Sequence, residues 1–141
     1  MTKLKFLPLL LIFAACIENS PEPVNKSVLL SGNDAFGKTY SISSIELELG
    51  TLQPHSCLTD NFITYFPNGK YEVNEGATKC NPNDPPALVG FWNMNRDQTL
   101  LLVDVDGFVQ TWNIESVNLQ NHRISSIFNE EERIYSLTTT N

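Results

Sequence analysis

The stretch from Cys57 to Cys80, C-L-T-D-N-F-I-T-Y-F-P-N-G-K-Y-E-V-N-E-G-A-T-K-C, constrains the fold more than any other part of this chain. Two runs rich in β-branched and aromatic residues, 61–66 and 70–74, flank a Pro67-Asn68-Gly69 turn. Phe62, Thr64 and Phe66 alternate with Ile63 and Tyr65, the two-residue period of a strand. Pro67 presets φ for the second residue of a type I turn, and Gly69 can then take the left-handed conformation that returns the chain with a bulge. Tyr71 and Val73 alternate with Lys70, Glu72 and Asn74, so one face of the return strand is wet. The reading is a β-hairpin bracketed by a Cys57–Cys80 disulfide. Closing a loop of this size contributes roughly 3 kcal/mol in the chain-entropy model, a large share of a small domain's net stability. Two free, buried cysteines are the alternative, and the compartment decides between them.

The compartment is written in the first sixteen residues. Lys3 and Lys5 precede an apolar run, 6–13, and two small residues, Ala14 and Ala15, stand before Cys16. That order is the order of an export signal, so residues 1–15 are set outside the fold as a signal peptide. The apolar run is too short to span a bilayer. The sequence I-F-A-A-C at residues 12–16 resembles a bacterial lipoprotein lipobox, with Phe13 where an aliphatic residue is usual. The resemblance implies a diacylglycerol on the Cys16 sulfur and a third acyl chain, of the palmitate kind, on its amino group. Each buried methylene contributes ~0.8 kcal/mol, so several chains anchor where one would not. An ordinary secretory signal followed by an incidental cysteine is the plain alternative. Three cysteines in an exported chain leave one odd. With lipid on Cys16, Cys57 and Cys80 remain as an even pair, and oxidation outside the cytoplasm favours their bridge.

Residues 16–37 read as a lipid-anchored tether and lead-in. They carry two early prolines and little apolar content, apart from a Val28-Leu29-Leu30 patch expected to dock on the domain edge. Residues 38–141 form a single domain. A first long strand, 38–49, changes phase near Ser43-Ser44, where a bulge is expected. The N-P-N-D-P-P run after Cys80 is a loop. Strands follow at 88–95, with Gly90 as a weak point, and at 99–105. Asp106-Gly107 signals a two-residue hairpin, after which Phe108, Gln110, Trp112 and Ile114 share one face. Runs 123–128 and 133–138 close the chain around a charged turn at 129–132. No segment reads as a helix. About eight short strands separated by turn signals predict an all-β fold, an antiparallel barrel or a sandwich.

The formal charge of −7 and the lack of a basic cluster beyond the first residues argue against a nucleic-acid partner. Asp104-x-Asp106-Gly107 resembles the start of a calcium loop, but the rest of that loop and its terminal glutamate are missing, so a hairpin turn is the better reading. His55 and His122 have no companion at ligand spacing and read as loop residues. Asp60-Asn61 reads as a turn cap. No phosphate loop, nucleophile elbow or zinc-protease helix motif occurs. The expectation is no catalytic residue, no metal, no cofactor and no enzymatic activity.

These residues together resemble the lipocalin-like lipoproteins common in Bacteroidota. The resemblance runs over residues 30–137. It rests on G-K-T-Y at 37–40, C-x-x-D-N at 57–61, F-x-N-G-x-Y at 66–71, Cys80, Gly90-x-Trp92, and W-x-I at 112–114; Tyr40 stands where tryptophan is more usual. It implies a small lipocalin-like β-barrel on a lipid anchor in the cell envelope, at the outer membrane. It carries over no catalytic residues. Phe62, Phe66, Phe91, Trp92, Phe108 and Trp112 then either line a cavity for a small apolar or amphipathic ligand or fill the core. The rival expectation is a non-catalytic accessory module with a filled core, acting through its surface in an envelope complex.

Overall fold

The hairpins form where the sequence supplies left-handed residues. Gly69 has φ 84°, the Gly69 N–H donates to the Phe66 carbonyl, and the Phe66 N–H donates to Lys70. Asp106 and Gly107, at φ 54° and 80°, make a two-residue turn between the paired Val105 and Phe108. Asn129 and Glu130, at 51° and 66°, do the same between Phe128 and Glu131. Both turns have the mirror-image twist that suits a right-handed ribbon. The second is shorter than the four-residue turn expected, because pairing zips up to Glu131.

The computed structural model describes residues 24–140. Cys16 and the signal peptide lie outside the described residues. The strands are β1 (Lys38–Leu47), β2 (Gly50–Leu52), β3 (Phe62–Tyr65), β4 (Lys70–Asn74), β5 (Ala87–Met94), β6 (Leu100–Val105), β7 (Phe108–Val117), β8 (Asn121–Phe128) and β9 (Glu131–Thr139). Every pairing is antiparallel. β9 returns to β1, so β1 and β3 to β9 close an eight-stranded barrel, with β2 a short flap on the end of β1.

Side-chain parity decides what the barrel holds. In β1, Tyr40 and Ile42 point inward until the register slips between Ile42 and Ser44, after which Ile45 opposes Tyr135. This is the expected bulge at Ser43-Ser44, and it keeps apolar residues inside on both sides of the slip. A second slip, between Ile114 and Ser116, was not expected. The core gathers Tyr40, Tyr65, Trp92, Leu101, Val103, Ile114, Ile124 and Leu137. Gly90 is buried and sits where β5 crosses close to β6. A Cβ there would collide with the Asp104 carbonyl oxygen.

Two short helices correct the all-strand expectation. α1 (Lys26–Ser31) is capped by Asn25, whose side chain accepts from the Ser27 N–H. It contains the Val28-Leu29-Leu30 patch and seals one end of the barrel. Leu30 is fully buried, the Tyr40 hydroxyl donates to its carbonyl at 3.0 Å, and Lys38 Nζ donates to the Leu29 carbonyl at 2.8 Å. Six residues show too little of a 3.6-residue period to be read as a helix, and so short a helix depends on this packing. α2 (Ser56–Thr59) precedes β3 and carries Cys57. The disulfide to Cys80 is formed, with Cα atoms 5.0 Å apart. It ties α2 to the long loop between β4 and β5.

Candidate functional site

The two halves of the barrel interior differ. Toward α1 it is packed. Tyr65 meets Tyr40 at 5.9 Å and Trp92 at 5.7 Å between ring centroids, both edge to face. Such pairs add to the area they bury. The Trp92 indole N–H donates to the Phe66 carbonyl at 3.0 Å. His122 is 1% exposed inside this packing, which corrects its reading as a loop residue. It sits on β8 and faces inward, in step with Ile124. Both ring nitrogens lack a partner among the described residues. Burial, with a smaller contribution from Lys38, pushes its pKa down to about 4, so the ring is neutral.

Toward the opposite end, the interior opens into a cavity of about 290 Å³. Its walls come from alternate residues of β1, β3, β4, β6, β7, β8 and β9: Ile42, Ile63, Val73, Val103, Trp112, Ile124, Tyr135 and Leu137. Leu58 from α2 and Asn61 enter from the side, and Tyr65 and Tyr71 lie on the packed half. No lining residue carries a charge at neutral pH. Two further hollows share walls with it. One, also about 290 Å³, runs along Tyr71, Val73, Val103 and Gln110 to Phe108. The other, about 450 Å³, lies between the β6–β7 and β8–β9 turns and shares Gln110, Trp112 and Tyr135.

The disulfide and a carboxylate fix α2 and the loop after β4 beside the cavity. Asp60 Oδ2 accepts from the Thr78 N–H at 2.8 Å and the Ala77 N–H at 3.0 Å, which keeps that carboxyl below the usual carboxylate range. Asn61 is buried, and its amide nitrogen, in the orientation that its neighbours require, donates to the Cys57 and Glu75 carbonyls. The Asp60-Asn61 pair is therefore the cap expected. His55 caps α2 through Nδ1. Asp104 Oδ1 accepts from the Gly107 N–H, as the hairpin reading requires.

Of the six aromatics singled out in the sequence, the structure brings only some inside. Trp112 lines the cavity, Trp92 fills the packed half, and Phe108 stands at the open end, 69% exposed. Phe62, Phe66 and Phe91 do not line it. Phe62 and Phe91 occupy outward positions, Phe91 70% exposed. Phe66 lies at the β3–β4 turn, under Lys70. The reason is parity: Ile63, Tyr65 and Trp92 take the inward phase on their strands, so Phe62 and Phe91 must face out. The sequence reading overlooked Tyr65, Tyr71 and Tyr135 as cavity residues. The alternation that could have found them was visible, cleanly for Tyr71 on β4, whereas β3 and β9 offer apolar residues in both phases, Phe62 against Ile63 and Ile134 against Tyr135.

No family model and no curated protein sequence matches this chain. Among solved structures it is similar to a lipocalin-like protein from Bacteroides uniformis, with a TM-score of 0.51 and 8% identity. The likeness covers 72% of this chain and 97% of that one. At that identity it speaks to the fold alone.

Proposed function

From a lipocalin-like barrel closed at one end and hollow at the other, we propose that this protein binds a small apolar or amphipathic molecule inside the barrel. The observation that carries the reading is the cavity of about 290 Å³ with an apolar wall and no charged lining residue. Small-molecule sites are concave, mostly apolar and furnished with a few polar groups, and volumes start near ~300 Å³. The size therefore points to a small ligand. The leader and Cys16 support a setting in the cell envelope, on a lipid anchor at the outer membrane. The bridged Cys57–Cys80 pair fits an oxidising compartment.

A second reading has its own support. Half of the barrel is filled, and Val89, Phe91 and Leu102 are exposed on the outside of β5 and β6. That combination suits an accessory module working through its surface. Titration with a neutral, environment-sensitive dye separates the two. Ligand binding predicts saturable, equimolar uptake with a change in Trp112 fluorescence, weakened in Val73→Trp, which fills the cavity. Uptake that the filled variant leaves untouched supports the surface reading.

A further inference from the structure

The polar groups around the barrel interior are treated differently. Some are used: the Tyr40 hydroxyl donates to Leu30, the Trp92 indole N–H donates to Phe66, and the Asn61 amide donates to the Cys57 and Glu75 carbonyls. Two hydroxyls on the cavity wall are not. Tyr65 is 1% exposed and lies in the cavity wall, yet its hydroxyl makes no hydrogen bond to the described residues. The hydroxyl of Tyr71, whose ring lies 5.3 Å from that of Tyr65, makes none either. Neither hydroxyl is among the enclosed groups left without a partner, unlike the His122 ring nitrogens, and both residues line the cavity, where a hydroxyl is available to a ligand's polar group.

Resting on the ligand-binding reading, we infer that the ligand enters polar end first and carries an uncharged hydrogen-bonding group, a hydroxyl or carbonyl, that meets Tyr65 and Tyr71. Position supports this. Tyr65 packs against Tyr40, Trp92 and His122, so it forms the inner end of the cavity, while Trp112 and Tyr135 stand toward the open end. Charge supports it as well. A carboxylate or ammonium head placed there would find no counter-ion among the lining residues. Burial holds the hydroxyls of Tyr65 and Tyr71 far above their ordinary pKa, so both stay protonated and can donate as well as accept. The turns at the open end carry carboxylates, with Glu48 in one and Glu130 and Glu132 at another, which opposes entry of an anion. A site built to bond a polar group discriminates strongly against an analogue lacking it.

The test uses the full chain and four probes of one chain length: decanol, decanoate, decylammonium and chlorodecane. Each is scored by displacement of a neutral dye at neutral pH. Decanol is expected to bind at least tenfold more tightly than either ion. It should also bind more tightly than chlorodecane, although chlorodecane is the more apolar. Tyr65→Phe and Tyr71→Phe, each shape-conserving, should weaken decanol at least fivefold and leave chlorodecane unchanged. Chlorodecane equal to or better than decanol overturns the inference, as does an ion that binds best, or phenylalanine variants without effect. In those cases the cavity still binds ligands. If none of the four displaces the dye, the ligand-binding reading fails with it.

Discussion

The imidazole of His122 stands edge-on to the ring of Tyr40, with centroids 5.8 Å apart and planes at 89°. Neither ring nitrogen has a hydrogen-bond partner among the described residues. A titratable group is thus enclosed where its charged form has no support.

Stability should therefore fall on mild acidification. The folded pKa is about 4 against an ordinary value of 6.5. Between those values the unfolded chain binds a proton that the folded chain refuses, so stability rises with pH there and is complete above the upper value. The loss on going from the upper to the lower should approach about 3 kcal/mol. Urea unfolding across this range checks it, and His122→Leu should flatten the slope. Asp60 acts with the same sign but lower, because its carboxyl is held below 3.8 by the Thr78 and Ala77 N–H groups. Its contribution is present above that value and is lost as pH falls through the depressed one.

The disulfide closes a local unit. Cys57→Ser/Cys80→Ser should lower unfolding stability by roughly 3 kcal/mol or less, strain and residual unfolded-state structure permitting. The strand signal in circular dichroism should persist, since Asp60 still bridges to Ala77 and Thr78. Denatured, non-reduced protein should show no titratable thiol from this pair.

Gly90→Ala should be among the costliest single-methyl additions. The new Cβ would meet a backbone carbonyl, that of Asp104, which cannot swing aside as a side chain can. Overpacking of this kind costs about 1–3 kcal/mol, read as a lowered unfolding midpoint.

Much of this was legible in the sequence. The turns at Gly69 and Asp106-Gly107 were marked by residues that tolerate left-handed backbone, whereas the last turn was marked only by its charge and Glu130 takes a positive φ that its residue type does not signal. The bulge in β1 was marked by Ile42 and Ile45 falling out of phase. The closed barrel could not be told from a sandwich, because the β1–β9 pairing joins the two ends of the domain and leaves no local signal. The cavity was anticipated and Trp112 named for it, but most of its lining was misassigned for a related reason. Phe62-Ile63 and Phe91-Trp92 are apolar in both phases, and only the partner strands decide which residue turns in. His122 looked like a loop residue because a lone histidine among polar neighbours gives no hint of its neighbours in space.

Lipid attachment at Cys16 has a direct check. Cys16→Ser should release the protein from the membrane fraction and abolish labelling by a clickable fatty acid. A variant that stays membrane-bound and labelled would contradict the anchor.

The cavity as a ligand site is tested most directly by native mass spectrometry of the protein purified from its own cells, alongside Val73→Trp. The account predicts an equimolar small molecule on the parent, released on unfolding and absent from the variant whose cavity is filled. Parent and variant both carrying no ligand, or both carrying the same one, would contradict it.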